Sequence, residues 1–310
     1  MMTDITRAPE LASEPLAPGV WAVVATPFAG PDRAVDHASL TRLVHFYEEC
    51  RTTGLTVLGV FGEATALTDG ERTDVLRTVA DATGLPLVVG VTALGTAPAI
   101  AEIRAARDAV GDRVRAVMVQ VNSGSPRVVI EHLRAIHAAT GTPIVLQHYP
   151  AASHVTITTG GVQAIVAECP FVCAVKAEAP PTAAAIAQLV RDTRVSVFGG
   201  LGGQSLLDEL AAGAAGAMTG FSFTEALVAC VDAWQRGDRD GAREGFLSYL
   251  PLVNYEQQPG IALALRKDLL VRRGLIEDGA VRSPSAPFPE QLRDIAANHL
   301  AWVEQPEGVH

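Results

Sequence analysis

A lysine ends one of the apolar segments of this chain. Lys176 closes the segment FVCAVK, which begins at Phe171. An amine attacks a carbonyl carbon only in its uncharged form, and an ordinary lysine, with a pKa of about 10.4, is almost fully protonated at pH 7. Burial beside apolar neighbours such as Val172 and Val175 disfavours the charged form and lowers the pKa of an amine. In such surroundings Lys176 can form an imine with a keto group, whereas a lysine that reaches solvent at a strand end would have no such role.

Formation of an imine, and of the enamine derived from it, requires a nearby group that moves protons. Side chains two positions apart on a strand lie on the same face, so Glu178 shares the face of Lys176 and Tyr149 shares that of Gln147. We take Tyr149 as the first candidate for the proton shuttle and Glu178 as the second. The alternatives are that Tyr149 only packs and that Glu178 is a solvated loop carboxylate.

Eight short apolar segments alternate along the chain with segments of helical spacing. Their valine content is typical of strands that are buried on both faces of a parallel sheet. They are WAVVATPF from Trp21, LTVLGVFG from Leu55, LPLVVGVT from Leu85, RAVMVQV from Arg115, TPIVLQHYP from Thr142, FVCAVK from Phe171, VSVFGG from Val195 and AGAMTGF from Ala215. Leu40, Leu43 and Val44 show the helical spacing, and Thr68 with Glu71 forms a capping-box pattern at a helix start.

The repeated order of strand and helix predicts an α/β fold with parallel strands joined by right-handed crossovers. A (β/α)8 TIM barrel is our first choice, because there are about eight units and no GxGxxG motif follows the first strand; a doubly wound open sheet is the alternative. We expect residues 19–238 to form the barrel and residues 239–310, whose pattern is helical only, to form a C-terminal helical extension. Residues 1–18 are expected to be a flexible N-terminal arm.

The composition excludes several classes of protein. With a net charge of −10 over 310 residues, the chain lacks the basic surface that nucleic acid or an anionic membrane demands. No apolar stretch reaches membrane-spanning length, and we expect no signal peptide. The four cysteines form no CxxC pair, which is typical of a reduced cytoplasmic protein. His132 and His137 are five positions apart and do not share a helix face, so we predict no metal site.

Four stretches carry a resemblance to a known family. They are ATPFAGPDRAVD at Ala25, GVFGEATAL at Gly59, LQHYP at Leu146 and AVKAE at Ala174. The order and spacing of these stretches resemble those of the dihydrodipicolinate synthase and N-acetylneuraminate lyase family. The resemblance extends from about residue 19 to about residue 274. Members of this family are class I aldolases and dehydratases built on a (β/α)8 barrel. The resemblance implies that Lys176 forms the Schiff base without any cofactor, and that the protein is a homotetramer or a dimer of dimers.

The resemblance also implies where the substrate lies. In the family, the loop after the second strand binds the carboxylate of a 2-oxo acid through backbone amides; here that loop contains Val60, Phe61 and Gly62. Backbone donors survive a change of side chain, so an anion site remains expected there. The glycine cluster FGGLGG, which includes Gly200, and Thr219 after the eighth strand are expected near the distal end of the substrate.

Departures from the family pattern argue against one activity. Val60 stands where the family has the first threonine of its signature, Gln147 replaces the tyrosine of its proton relay, and Ala152 replaces the arginine of the synthases. His148 takes the family's asparagine position and is a candidate substrate ligand, although it can face the helices instead. Losing the relay and the arginine argues against dihydrodipicolinate synthesis, while the lysine chemistry can persist with another substrate.

These residues predict a lyase that forms a Schiff base with a 2-oxo acid. We favour a pyruvate-type aldolase or hydratase-aldolase that acts on a small-molecule 2-oxo acid, with an aldehyde as its partner substrate. One alternative is a dehydratase of a 2-keto-3-deoxy sugar acid. The other is a protein without catalytic activity that binds a 2-oxo acid, or regulates in response to it, on the same barrel.

Overall fold

A closed barrel of eight parallel strands forms the centre of the computed structural model, which describes residues 12–304. The strands are Gly19–Val23, Gly54–Val57, Leu87–Gly90, Val114–Gln120, Ile144–His148, Val172–Ala177, Ser196–Gly199 and Gly216–Thr219. Each strand pairs with the next along the chain, and the first pairs with both the second and the eighth. The predicted (β/α)8 TIM barrel is therefore confirmed, and the doubly wound open sheet is excluded.

The barrel interior is filled by side chains rather than hollow. Ala174 on the sixth strand packs there with Val145, Met118 and Phe198, which come from three other strands. Side chains alternate between the interior and the helices, and Lys176 lies two residues beyond Ala174 on the same strand. Packing of the interior thus holds the strand that carries the lysine, with the lysine side chain one layer closer to the C-terminal end of the barrel.

Helices cover the outside of the barrel. They are His37–Glu49, Asp69–Ala82, Thr96–Val110, Pro126–Thr140, Pro150–Ser153, Thr159–Glu168, Thr182–Asp192, Leu206–Ala211 and Thr224–Gln235. Short 3-10 turns occur at Val60–Gly62, Ala64–Ala66, Gly111–Arg113, Leu201–Gly203 and Glu290–Leu292. The capping box predicted at Thr68 is present, because its hydroxyl accepts from the Glu71 amide while the Glu71 carboxylate accepts from the Thr68 amide.

The N-terminal segment crosses the end of the barrel opposite the lysine. Of the predicted flexible arm, residues 1–11 lie outside the described residues. Leu16 is only 1% exposed and packs with Trp21 and Cys173 in the interior cluster. Its amide donates to the Cys173 carbonyl at 3.3 Å, and its carbonyl accepts from the Ser196 hydroxyl at 2.6 Å. Residues 12–18 are therefore anchored to the barrel.

Helices Arg239–Leu247, Leu250–Glu256, Ala262–Arg272 and Arg293–Val303 follow the barrel, as the helical pattern predicts. Lys267, on the third of them, is fully buried and donates to Glu63 at 2.5 Å and to the Ala280 carbonyl at 2.9 Å. The extension therefore reaches the loop after the second strand. Residues 305–310 lie outside the described part. Between residues 12 and 304, no helix is both long and apolar enough to cross a membrane.

Candidate active site

A cavity of about 230 Å³ lies at the C-terminal end of the barrel, where the active sites of such barrels are found. From the barrel it is lined by Val23, Gly59, Val60, Phe61, Gln147, Tyr149, Lys176, Glu178, Leu201, Gly202, Thr219 and Gly220. From the extension it is lined by Gln257, Ala262, Leu263, Arg266 and Ser285. The fold thus brings most of the predicted site residues into one cavity and adds residues from the C-terminal helices.

Lys176 lies at the bottom of this cavity. It pairs in register with Gln147 on the fifth strand and with Phe198 on the seventh. Only 7% of its side chain is exposed, and its Nζ lies 3.3 Å from Oε1 of Glu178. The side chain therefore does not extend into bulk water, and it has a proton acceptor within reach.

Glu178 is fixed by three neighbours. Its Oε2 accepts a hydrogen bond of 2.7 Å from the Gln147 side-chain amide, and its backbone amide donates to the His148 carbonyl at 2.9 Å. A Cβ placed on Gly200 would lie 2.2 Å from Oε1, so glycine is required where the carboxylate passes. Gln147 thus replaces the family's tyrosine with a donor that orients a carboxylate. Glu178, our second candidate for the proton shuttle, is the one that contacts the lysine.

Tyr149, our first candidate for that role, also lines the cavity. Burial raises the pKa of its hydroxyl, and the negative charge of Glu178 raises it further. The phenol therefore stays protonated at neutral pH and can donate a hydrogen bond to a ligand. No hydrogen bond joins it to Lys176 among the described residues, so the geometry favours Glu178 for proton transfer at the imine.

Within residues 12–304, the backbone amides of Val60 and Phe61 in the loop after the second strand donate no hydrogen bond. Its 3-10 turn begins with bonds from the Gly62 amide to the Gly59 carbonyl at 3.0 Å and from the Glu63 amide to the Val60 carbonyl at 3.1 Å. The amides of Val60 and Phe61 precede these bonds, as the first amides of a helical turn do, and both residues line the cavity. Such a turn can receive a carboxylate.

Three predicted substrate ligands do not line the cavity. Gly62 lies behind the loop, where its carbonyl accepts from the Thr26 hydroxyl at 2.7 Å. His148 points to the other side of the strand, and burial lowers the pKa of its imidazole. Gly200 contacts the carboxylate of Glu178 rather than open space. Thr219 does line the cavity, and its hydroxyl accepts from the Gly202 amide at 2.8 Å.

A cation of the cavity was missed from the sequence. Arg266 on helix Ala262–Arg272 lines it, and its Nε donates to Oε2 of Glu256 at 2.9 Å. Glu256 is completely buried, and it also accepts from the amide and hydroxyl of Ser222. The one signal in the sequence is the pair Arg266 and Lys267 within the apolar segment ALALRKDLLV, since adjacent charges in a buried helix need partners.

A buried carboxyl behind the site was also missed. Glu209 is 1% exposed, and a Cβ placed on Gly199 would lie 1.7 Å from its Oε2. Burial raises the pKa of Glu209 to about 7; the Thr182 hydroxyl opposes this rise, and the charge of Glu178 adds to it. The adjacent glycines 199 and 200 therefore each make room for a carboxyl group.

Comparisons with known proteins show what this chain is similar to. The model of the dihydrodipicolinate synthetase family matches residues 17–301. An L-2-keto-3-deoxyarabonate dehydratase of Azospirillum brasilense is 31% identical over 304 residues, which are 94% of each chain. A 4-hydroxy-tetrahydrodipicolinate synthase of Sorangium cellulosum is 29% identical over 92% of this chain and 96% of its own. The crystal structure of a dihydrodipicolinate synthase from Rhodopseudomonas palustris superimposes with a TM-score of 0.85 at 32% identity, covering 94% of this chain and all of that one.

Proposed function

The chain belongs to the dihydrodipicolinate synthetase family, and from this premise we propose that it is a lyase in which Lys176 forms an imine with a 2-oxo acid. We further propose that its reaction is the loss of water from a 3-deoxy-2-oxo sugar acid. The observation that carries the proposal is the distance of 3.3 Å between Lys176 Nζ and Glu178 Oε1 in a buried cavity. A nucleophilic amine and a fixed acid-base group are the two parts that this chemistry requires.

Imine formation uses both side chains. Glu178 accepts a proton from the Lys176 ammonium, and the neutral amine adds to the C2 carbonyl of the substrate. Glu178 then returns the proton to the C2 hydroxyl, which leaves as water as the C=N bond forms. Because Gln147 holds Oε2 at 2.7 Å, Oε1 is the oxygen that faces the amine and exchanges protons.

Elimination follows from the positive charge of the iminium. That charge acidifies C3, so Glu178 removes a proton there and the electron pair of the C–H bond forms an enamine. The enamine electrons then expel the C4 hydroxyl, which takes the proton from Glu178 and leaves as water. Hydrolysis of the resulting unsaturated iminium releases the 2-oxo product and restores Lys176 and Glu178.

Dehydration is preferred over carbon–carbon cleavage for two reasons. The Glu178 carboxyl lies 3.3 Å from the lysine nitrogen that would carry the imine, within reach of a proton on C3 of a bound substrate, and its direction is set by Gln147. The relative from Azospirillum brasilense, 31% identical, is named as a dehydratase. Our expectation of an aldolase or hydratase-aldolase therefore becomes the second candidate. Its support is the family resemblance to synthases and Tyr149, whose hydroxyl lines the cavity where a base for cleavage would be needed.

Borohydride trapping and product analysis test the proposal. Wild-type protein should gain a reduced pyruvate adduct on the peptide that contains Lys176, and Lys176→Arg should gain none. With 3-deoxy-2-oxo pentonate and hexonate, the product should be an intact chain short of one water. Free pyruvate would instead identify an aldolase. A rise in melting temperature without adduct or turnover would identify a binding protein and refute the proposal.

A substitution of Glu178 separates its proposed role in proton transfer from the proposed role of Lys176 in imine formation. Glu178→Gln should still be trapped by borohydride with pyruvate at long incubation times, because the amine remains. Its kcat for dehydration should fall about 100- to 10,000-fold, the range for removal of a general acid-base group. Turnover within threefold of wild type would assign proton transfer to another residue, with Tyr149→Phe as the next variant to measure.

The remaining features of the function are also proposals. We infer that the protein acts in the cytoplasm on a small molecule without a metal or organic cofactor, and that it is a homotetramer or a dimer of dimers. Membership of the family supports the oligomer and the cofactor-independent chemistry. Light scattering of the purified protein measures the oligomeric state, and activity after exhaustive chelation tests the absence of a metal requirement.

A further inference from the structure

Arg266 is a charged side chain of the cavity that the proposed reaction leaves without a role. It comes from the C-terminal extension rather than from a barrel strand, and it lines the same cavity as Lys176. Its side chain is 7% exposed. A buried guanidinium that only balanced Glu256 would not need to face the cavity, so a second partner is expected there.

The surroundings fix the guanidinium in one orientation. Its Nε donates to Glu256 at 2.9 Å, and its central carbon lies 4.1 Å from the centre of the Phe61 ring. A Cβ placed on Gly220 would approach Nη1 to 3.0 Å, so the absence of a side chain there leaves room for the group. Among residues 12–304, no oxygen accepts from its two terminal nitrogens. Those nitrogens form the planar fork that binds a carboxylate in two parallel hydrogen bonds.

The position of Phe61 indicates which group of the substrate Arg266 binds. Phe61 and Val60 carry no hydroxyl, so the loop after the second strand offers backbone amides but no side-chain donors at these positions. The guanidinium of Arg266 stacks on the Phe61 ring, which places a charged donor beside this loop.

We propose that Arg266 binds the C1 carboxylate of the 2-oxo acid, opposite the amides of Val60 and Phe61. The proposal rests on the function proposed above and adds a recognition residue to it. A carboxylate held between two amides and a guanidinium is bound far more tightly than its neutral amide. The space beside Tyr149, Leu201 and Gly202 then remains for the distal hydroxyls of the substrate.

The test compares two ligands of the same size, one with a charged carboxylate at C1 and one with a neutral amide there. Pyruvate and pyruvamide are titrated against wild type and Arg266→Met, and the imine on Lys176 is measured by borohydride trapping and mass spectrometry. Wild type should form the imine at a much lower concentration of pyruvate than of pyruvamide. In the variant the preference for pyruvate should fall about 10- to 100-fold, the value of a charge-assisted bidentate contact. A preference that changes less than twofold would overturn the proposal.

Two controls exclude indirect effects. Arg272→Met removes an arginine of the same helix that pairs with Asp268 outside the cavity, and it should leave the preference unchanged. Because Arg266→Met leaves the buried Glu256 carboxylate without its cation, the double variant Arg266→Met/Glu256→Gln is measured against Glu256→Gln alone. The double variant should lose the preference for pyruvate while Glu256→Gln keeps most of it; equal preference in both would contradict the proposal.

The same data keep the two proposals apart. If wild type forms no adduct with either ligand, the proposed function fails. If wild type forms the adduct and Arg266→Met keeps the preference for pyruvate but loses only the longer sugar acids, then Arg266 contacts the distal end of the substrate. That outcome refutes the assignment to C1 and leaves the Schiff-base chemistry intact.

Discussion

Each oxygen of the Glu178 carboxylate has a different neighbour, and this division is what the several proton transfers that we propose for Glu178 require. Oε2 is held by Gln147 at 2.7 Å, while Oε1 lies 3.3 Å from Lys176 Nζ. The neutral side-chain amide of Gln147 orients the carboxylate, whereas a tyrosine at position 147 would itself compete as the proton donor. We therefore propose that Glu178, oriented by Gln147, takes over the proton transfers of the missing tyrosine relay.

Glu209 has a pKa of about 7 in the folded protein, whereas the ordinary value is 4.5. Because the folded state holds this proton more tightly than the unfolded state, its contribution to stability is complete below about pH 4.5 and is lost as pH rises through 7. Glu209→Gln mimics the protonated form. At pH 8 it should raise the free energy of unfolding by up to about 3 kcal/mol, and at pH 4.5 it should change it little.

Urea unfolding of both proteins at pH 4.5, 6 and 8 checks this difference. Comparing the variant with wild type at each pH cancels the contributions of all other titrating groups. A difference in stability that is the same at every pH would mean that Glu209 titrates normally in the fold.

Only part of the site could be predicted from single residues. Lys176 was predicted because it closes an apolar segment in the place of the family's Schiff-base lysine, and Glu178 because strand parity puts it on the same face. Tyr149 was predicted by parity with Gln147, which takes the place of the family's relay tyrosine, and both line the cavity. The contact of Gln147 with Glu178 depends on the register of two strands, which the sequence does not contain. Arg266 was missed because 90 positions of chain separate it from Lys176, and only the folded extension brings them together.

At the scale of elements, the loop of residues 59–66 is held in place by contacts with the C-terminal extension. Glu63 has a left-handed backbone with φ of 52°, and it pairs with Lys267 at 2.5 Å and with the Arg282 amide at 2.8 Å. Burial lowers the pKa of Lys267, and the charge of Glu63 opposes that change. The pair therefore fixes the loop whose amides we assign to the substrate carboxylate.

Lys267→Met should lower the free energy of unfolding by about 3–5 kcal/mol, because it leaves the buried Glu63 carboxylate without its partner. The double variant Lys267→Met/Glu63→Gln should recover much of this loss. Urea unfolding measures both. The matched control is Arg77→Met, which removes an exposed ion pair with Asp74 and should cost less than about 1 kcal/mol. A cost for Lys267→Met as small as that of the control would show that the pair does not hold the loop.

The boundaries of elements were harder to predict than their order. The segment LTVLGVFG reads as one strand, but the strand ends at Val57 and the chain turns at Leu58, whose φ is 59°. Apolar residues continue past the turn because Val60 and Phe61 line a cavity rather than pack in the sheet. Val60 is 53% exposed and Phe61 is half-buried, so the hydrophobic pattern overstates burial at this loop and also misses the change of backbone direction.

At the scale of the whole molecule, different parts of the chain cover the two ends of the barrel. The C-terminal extension lines the cavity at one end, and the N-terminal segment covers the other. Leu16 covers the N-terminal end and packs with Trp21 and Cys173. Leu16→Ala should lower the free energy of unfolding by about 2–5 kcal/mol, because it opens a gap in a packed interior. It should leave kcat unchanged, since the active site is at the other end.

Thermal and urea unfolding with activity assays test this prediction. Leu247→Ala is the control, because Leu247 is 58% exposed and its truncation should change stability by about 0.5 kcal/mol or less. Equal stability of Leu16→Ala and wild type would show that the N-terminal segment lies on the barrel without supporting it.

The C-terminal helices have a consequence for how this protein can diverge from its relatives. The lysine that we propose forms the imine lies on a barrel strand, whereas Gln257, Leu263 and Arg266 reach the cavity from the segment after the eighth strand. Substitutions in that segment can change the charge and shape of the entrance without disturbing the strands that hold the nucleophile. Selectivity can therefore evolve by exchange of the tail, while the reactive centre is inherited unchanged.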